Sequence, residues 1–208
     1  MLIYINHIKH EDLIMKKLLL LFLTVFALGA FGAEPSSWIG KVFPEELTKA
    51  DGGKVSAEKT LTGKIVAVYF SASWCPPCRA FTPKLVSFYR KAVRRHDLEI
   101  VLISSDQSVE KMMEYMKKYN MPWLALHRSD PQALALSKKM QIRGIPTLVV
   151  LDKNGKLITK NGRSDVTRLG VKAAKNWESP DKAKEERSSQ KKSGKNRSTR
   201  KSTRVSQR

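Results

Sequence analysis

The most restrictive feature of this 208-residue chain is a strand-like run that leads straight into two closely spaced cysteines. IVAVYFS (Ile65–Ser71) is β-branched and aromatic, follows Gly63, and reads as a buried strand. Ala72-Ser73-Trp74 comes next, and Cys75-Pro76-Pro77-Cys78 opens a stretch predicted to be helical to about Arg94. The first turn of a helix tolerates proline, because its N–H groups have no acceptor inside the helix. Pro76 and Pro77 therefore mark a helix start and stiffen it. The chain must pass from a buried strand into a helix almost at once, with both sulfurs at the junction.

That placement gives the sulfurs different chemistry. Cys75 lies at or just before the helix N-terminus, where unpaired N–H groups and the positive end of the helix dipole favour a thiolate. Cys78 is one turn further in and is predicted to be more buried. Cys75 is the expected nucleophile and Cys78 the resolving thiol of a mixed disulfide. These are the only cysteines, which excludes a disulfide-stapled mini-domain and a four-cysteine zinc site. Cys75, Cys78 and His127 lack a fourth ligand, so no metal is expected, and no cofactor beyond the redox-active pair. His127 reads as a surface or structural histidine. The chain has no Gly-rich phosphate loop, no H-E-x-x-H and no G-x-S-x-G. Pro83 sits inside the same helix, cannot bond the carbonyl of Arg79, and is expected to kink it.

Further strands are read at Leu98–Ser104, Thr147–Leu151 and Lys156–Thr159. Asp152-Lys153-Asn154-Gly155 joins the last two, and Asn-Gly between apolar runs signals a hairpin. Val109, Met112, Met113 and Met116 repeat at helical spacing after an expected Asp106 cap, a stripe that reads as core. Asp130-Pro131 starts another helix, with Ala133, Leu136 and Met140 on one side. A single last helix is predicted to carry Val166, Leu169, Gly170, Ala173 and Trp177. Alternating strands and helices imply parallel pairing with crossovers, and the hairpin adds an antiparallel edge. Pro146, in Gly144-Ile145-Pro146-Thr147, reads as a strand-entry proline.

The ends differ from this middle. Lys16 and Lys17 precede a largely apolar run from Leu18 to Ala30, with small residues through Ala33, the pattern of a secretory signal peptide over 1–33. Met15 is the suspected true start. The run is too short for a spanning helix of about 20 residues, so periplasmic or secreted export is expected, with an uncleaved inner-membrane anchor as the alternative. The net charge is +20, and residues 179–208 contribute 11 basic and 3 acidic residues to it. That tail is almost devoid of apolar residues and reads as disordered, able to make weak contact with anionic surfaces. Residues 34–178 are left as one domain.

FSASWCPPCRAFTPKL (Phe70–Leu85), MPWLAL (Met121–Leu126) and GIPTLVVLDKNGKLIT (Gly144–Thr159) resemble, in that order, segments of the tryparedoxin and nucleoredoxin members of the thioredoxin superfamily. The resemblance covers about residues 38–177. It implies a thioredoxin-like three-layer α/β fold with a central mixed β-sheet flanked by helices. It also implies a cis bond before Pro146, packed across from the disulfide, and an Ile145 backbone offered to an extended substrate. Trp74, Pro76, Pro77 and Ile145 become the expected substrate-binding residues. Where thioredoxin has a buried Asp six residues before the first Cys, this chain has Tyr69, which reads as a core aromatic.

The function expected is that of an exported thiol–disulfide oxidoreductase, a monomer acting on protein disulfides or dithiols and cycled by a donor or acceptor redox protein. The competing expectation is a thioredoxin-like binding or adaptor module that works through its basic surface and tail, with the redox pair vestigial.

Overall fold

A computed structural model describes residues 37–180. The leader read at 1–33 and all of the basic tail after Pro180 lie outside the described residues. The unit that begins at Trp38 is built on one seven-stranded sheet. Its strands are β1 (Glu46–Thr48), β2 (Lys54–Ser56), β3 (Ile65–Ser71), β4 (Leu98–Ser104), β5 (Leu124–His127), β6 (Thr147–Leu151) and β7 (Leu157–Thr159). The order across the sheet is β2-β1-β5-β4-β3-β6-β7. β3, β4 and β5 run parallel; the pairs β1–β2, β1–β5, β3–β6 and β6–β7 are antiparallel. The sheet is therefore mixed, as expected.

Among the described residues six helices flank it: α1 (Ala57–Leu61), α2 (Pro76–Ala92), α3 (Val109–Lys118), α4 (Pro131–Lys139), α5 (Gly162–Leu169) and α6 (Lys172–Glu178). β3 is central and all seven of its residues are buried, because helices cover both its faces. Its side chains divide by parity. Ile65, Ala67 and Tyr69 join Phe81, Leu85, Phe88, Met112, Tyr115, Trp123 and Trp177 on the face covered by α2, α3, α5 and α6. Val66, Val68 and Phe70 join Ile39, Phe43, Leu61, Ala133 and Leu136 on the face covered by α1 and α4. The methionine stripe is core: Met112 and Met116 are buried in the first cluster.

Three expectations are corrected. The single last helix is two, because Gly170 caps α5 at φ 54°, and the chain restarts as α6. The apolar stripe survives the break, which is why periodicity missed it. α3 is capped by Ser108, whose Oγ accepts from the Lys111 N–H; Asp106 is used elsewhere. α2 ends at Ala92, two residues before the expected end, with Pro83 inside it. The Asn-Gly turn forms as read. Asp152 Oδ1 accepts from the N–H groups of Asn154 and Lys156 (2.9 and 2.8 Å), and Gly155 adopts φ 76° with the Trp38 ring packed against it. Among the described residues no helix is long and apolar enough to cross a membrane.

Candidate active site

β3 pairs in parallel with β4 to the last residue of each, Ser71 opposite Ser104. The chain leaves the sheet there and Cys75 becomes the N-cap of α2. Its backbone is extended (φ −91°, ψ 108°), and its Sγ accepts the Cys78 N–H at 3.3 Å, filling the place a serine or aspartate oxygen takes in an ordinary cap. Pro76 and Pro77 occupy the first two helical positions. Cys75 and Cys78 form a disulfide with Cα atoms 5.2 Å apart. Cys75 is 4% exposed and Cys78 is fully buried, so an incoming sulfur can reach only Cys75.

The strand β6 brings the second motif to the same place. Phe70 pairs with Thr147, which sets Ile145 and Pro146 beside the sulfurs. The Ile145–Pro146 bond is cis. Cys75 Sγ lies 3.8 Å from the Ile145 carbonyl oxygen, and the Ile145 side chain packs on Ala72, Cys75 and Cys78. Trp74, Pro76 and Pro77 are exposed around this point, Trp74 by 56%. The Trp74 Nε1–H donates to the Ser105 carbonyl at 3.1 Å, which ties the ring to the loop after β4. The structure thus gathers Trp74, Cys75, Pro76, Pro77, Cys78, Ile145 and Pro146 at one end of the sheet. Pro146 also lines a cavity of about 440 Å³, together with Lys160, Arg163, Arg168, Thr147 and Thr167. Among the described residues no three His, Cys, Asp or Glu side chains cluster as metal ligands.

Tyr69 is buried in the core as read, yet its hydroxyl has a second use. The Thr82 hydroxyl donates to the Cys78 carbonyl at 2.9 Å. With that proton committed, Thr82 Oγ1 accepts from Tyr69 and Tyr115 at 2.9 and 2.7 Å, and Tyr115 accepts from Ser71 at 3.1 Å. Tyr69 OH is also 3.4 Å from the Cys78 carbonyl. Four buried hydroxyls thus point their protons towards the backbone of the second cysteine. Burial pushes the Tyr69 hydroxyl far above the usual tyrosine range, with the neighbouring Tyr115 adding to it, and burial raises Tyr115 as well. Both remain protonated donors at neutral pH.

His127 ends β5, opposite Ser104. Its Nε2 lies 2.9 Å from the Asp106 carbonyl oxygen, and its Nδ1 accepts the Ser129 N–H at 3.3 Å. A carbonyl only accepts, so the proton sits on Nε2. His127 is a structural tie. The residue that sequence reasoning missed is Asp106, read as a helix cap. Its spacing does suit a cap; only the parallel β3–β4 register, which no local signal encodes, brings it to Ser73.

Comparison with known proteins agrees with this geometry. A family model described as thioredoxin-like matches residues 63–157. A probable nucleoredoxin 1 of Arabidopsis thaliana is 45% identical over 124 residues, covering 59% of this chain and 21% of the relative. A tryparedoxin of Trypanosoma brucei brucei is 42% identical over 109 residues, 51% of this chain and 74% of the relative. A solved structure of tryparedoxin II complexed with glutathionylspermidine superposes with a TM-score of 0.59 at 39% identity, covering 64% of this chain and 93% of that one. The chain spans about a quarter of the length of the nucleoredoxins it matches, such as that of Xenopus laevis at 26%. The chain belongs to the thioredoxin-like family that contains the tryparedoxins and nucleoredoxins.

Proposed function

We propose that this thioredoxin-like chain is an exported thiol–disulfide oxidoreductase that acts on protein disulfides. The observation that carries the reading is the asymmetry of the two sulfurs at one helix start. Cys75 caps α2, receives an N–H at its sulfur and keeps a small exposed surface, while Cys78 is sealed beneath it. In the reduced protein the Cys75 thiolate attacks one sulfur of a substrate disulfide. That S–S bond breaks, and the other substrate sulfur leaves as a thiolate and takes a proton. The Cys78 thiol then loses its proton and attacks Cys75 Sγ. The mixed disulfide breaks, the second substrate thiolate leaves, and the Cys75–Cys78 disulfide remains. Two electrons have passed to the substrate, and a dithiol partner restores them. Run backwards, the same steps oxidise a substrate dithiol.

The geometry offers a place for that substrate. An extended segment crossing Cys75 would meet the Ile145 backbone on one side and Trp74 on the other, with the cationic cavity of Lys160, Arg163 and Arg168 bordered by Pro146. Export is supported by the leader-like residues 16–33 of the sequence. Reduction of insulin by dithiothreitol tests the activity. The wild type is expected to speed it, and the Cys75→Ser, Cys78→Ser double variant to do nothing. A wild-type rate no greater than that of the double variant ends the reading. In the reduced protein, brief iodoacetamide treatment is expected to label Cys75 ahead of Cys78, and Cys78→Ser to trap substrates on Cys75.

A further inference from the structure

Between the end of β3 and the start of α2 the chain has little hydrogen bonding of its own. The Cys75 N–H reaches back to the Ala72 carbonyl at 3.3 Å. The stronger hold comes from the loop after β4. Asp106 is only 2% exposed. Its Oδ1 accepts the Ser73 N–H at 2.8 Å and the Ser73 hydroxyl at 2.7 Å, and its Oδ2 accepts the Ser104 hydroxyl at 2.7 Å. The loop that carries Asp106 is itself tied down. The Ser105 N–H donates to the Ser71 carbonyl at 2.8 Å, the Asp106 N–H to Ser104 Oγ at 3.0 Å, and His127 Nε2 to the Asp106 carbonyl at 2.9 Å.

Among the described residues no lysine or arginine pairs with Asp106. Burying a carboxylate without a cation is costly, and hydrogen bonds must offset the cost. Two of the three donors aimed at this side chain belong to Ser73, two residues before Cys75. A rigid carboxylate on an anchored loop thus grips the turn that delivers the exposed sulfur, and Trp74, between them, is held to the same loop.

We propose that Asp106 is a positioning residue for the Cys75–Cys78 pair, holding Cys75 over the first turn of α2 and so raising the effective concentration of one sulfur at the other. The proposal rests on the oxidoreductase reading above. Closing the disulfide is an intramolecular step, and its equilibrium against glutathione measures that effective concentration. Two glutathione thiols give two electrons and two protons to the protein disulfide, yielding the dithiol and one glutathione disulfide. A looser entry turn lowers the effective concentration and moves this equilibrium towards the dithiol.

The test is the equilibrium of the full chain in glutathione buffers for the wild type, Asp106→Asn and Asp106→Ala, with thermal unfolding measured beside it. In Asp106→Ala the constant is expected to shift at least about fivefold towards the dithiol, roughly what one lost hydrogen bond is worth. Asparagine keeps an oxygen for Ser73, so Asp106→Asn is expected to stay within about twofold of wild type. A folded Asp106→Ala with an unchanged constant would reduce Asp106 to a purely structural role, whatever its melting temperature. An equal shift in both variants would mean that charge, not position, is responsible, and would also overturn the proposal. Should Asp106→Ala not fold, Ser73→Ala removes one of the two donors at Oδ1 and is expected to give a smaller shift in the same direction; no shift sinks the idea. A wild type that neither equilibrates with glutathione nor reduces insulin fails the parent reading instead, and the two failures are distinct.

Discussion

The two faces of the sheet are made by alternate residues of the same strands, and they bury different chemistry. The face under α1 and α4 is aliphatic and aromatic carbon: Val66, Val68 and Phe70 of β3 against Leu61, Phe43, Ala133 and Leu136. The face under α2 and α3 carries Tyr69, Tyr115 and Tyr89, and with Ser71 and Thr82 it builds the hydroxyl chain that ends on the Cys78 carbonyl. On the first, volume is what matters, because carbon contacts have no direction. On the second, direction matters as well, because a buried hydroxyl without a partner is costly. The helix that holds the disulfide lies over the second face. Polar burial is concentrated where a position must be fixed.

The largest effect that separates the faces is loss of volume on the aliphatic one. Leu61 is fully buried, and Leu61→Ala should cost about 2–5 kcal/mol in chemical denaturation. Insulin reduction per folded molecule should be unchanged. If it falls as far as stability does, the faces are not functionally separable.

Next comes Thr82→Val, which keeps the shape but removes the hydroxyl at the centre of the chain. It should cost about 1–3 kcal/mol, because Tyr69 and Tyr115 lose their shared acceptor. Here the exchange rate per folded molecule should fall by roughly tenfold, since a bond of that strength anchors the Cys78 backbone. A full rate in this variant would show that the hydroxyls only fill space.

The third difference is in pH. Burial raises Tyr69, Tyr115 and Tyr89, Tyr89 with help from the adjacent Glu99. A raised tyrosine holds its proton more tightly folded than unfolded. Its contribution is complete below the unfolded value of about 10 and is lost as pH climbs above it. Stability should therefore fall above about pH 10, and Tyr69→Phe should flatten the decline by about 1.4 kcal/mol per pH unit. Identical alkaline curves for the two proteins would contradict this origin.

The smallest effect on exchange lies at the rim of the aliphatic face. Gly155 has φ 76°, and a Cβ there would come within 2.5 Å of the Trp38 ring, whose Nε1–H donates to the Lys153 carbonyl. Gly155→Ala should cost about 1–2 kcal/mol through the left-handed backbone and more because the Trp38 ring must move, with the exchange rate intact. A slower exchange would mean that the hairpin communicates with the cysteines through β6.

The sequence alone determined whatever depends on neighbours along the chain. The strand that runs into Cys75, the prolines that begin α2, the unequal placing of the two sulfurs, and the Asn-Gly turn are all written within a few residues of one another. β1, β2 and β5 were not legible, because at three or four residues they carry too little periodicity and exist through their pairing. The break at Gly170 was hidden by a stripe that continues across it. Tertiary structure alone decided what Tyr69 and Asp106 do. Ser71 meets Tyr115 from 44 positions away, through the packing of α3 over the sheet, and Ser73 meets Asp106 from 33, through the parallel register of β3 on β4. A register is chosen by the whole sheet, through burial on both faces at once, so no local pattern records which hydroxyl or carboxylate will lie beside the cysteines.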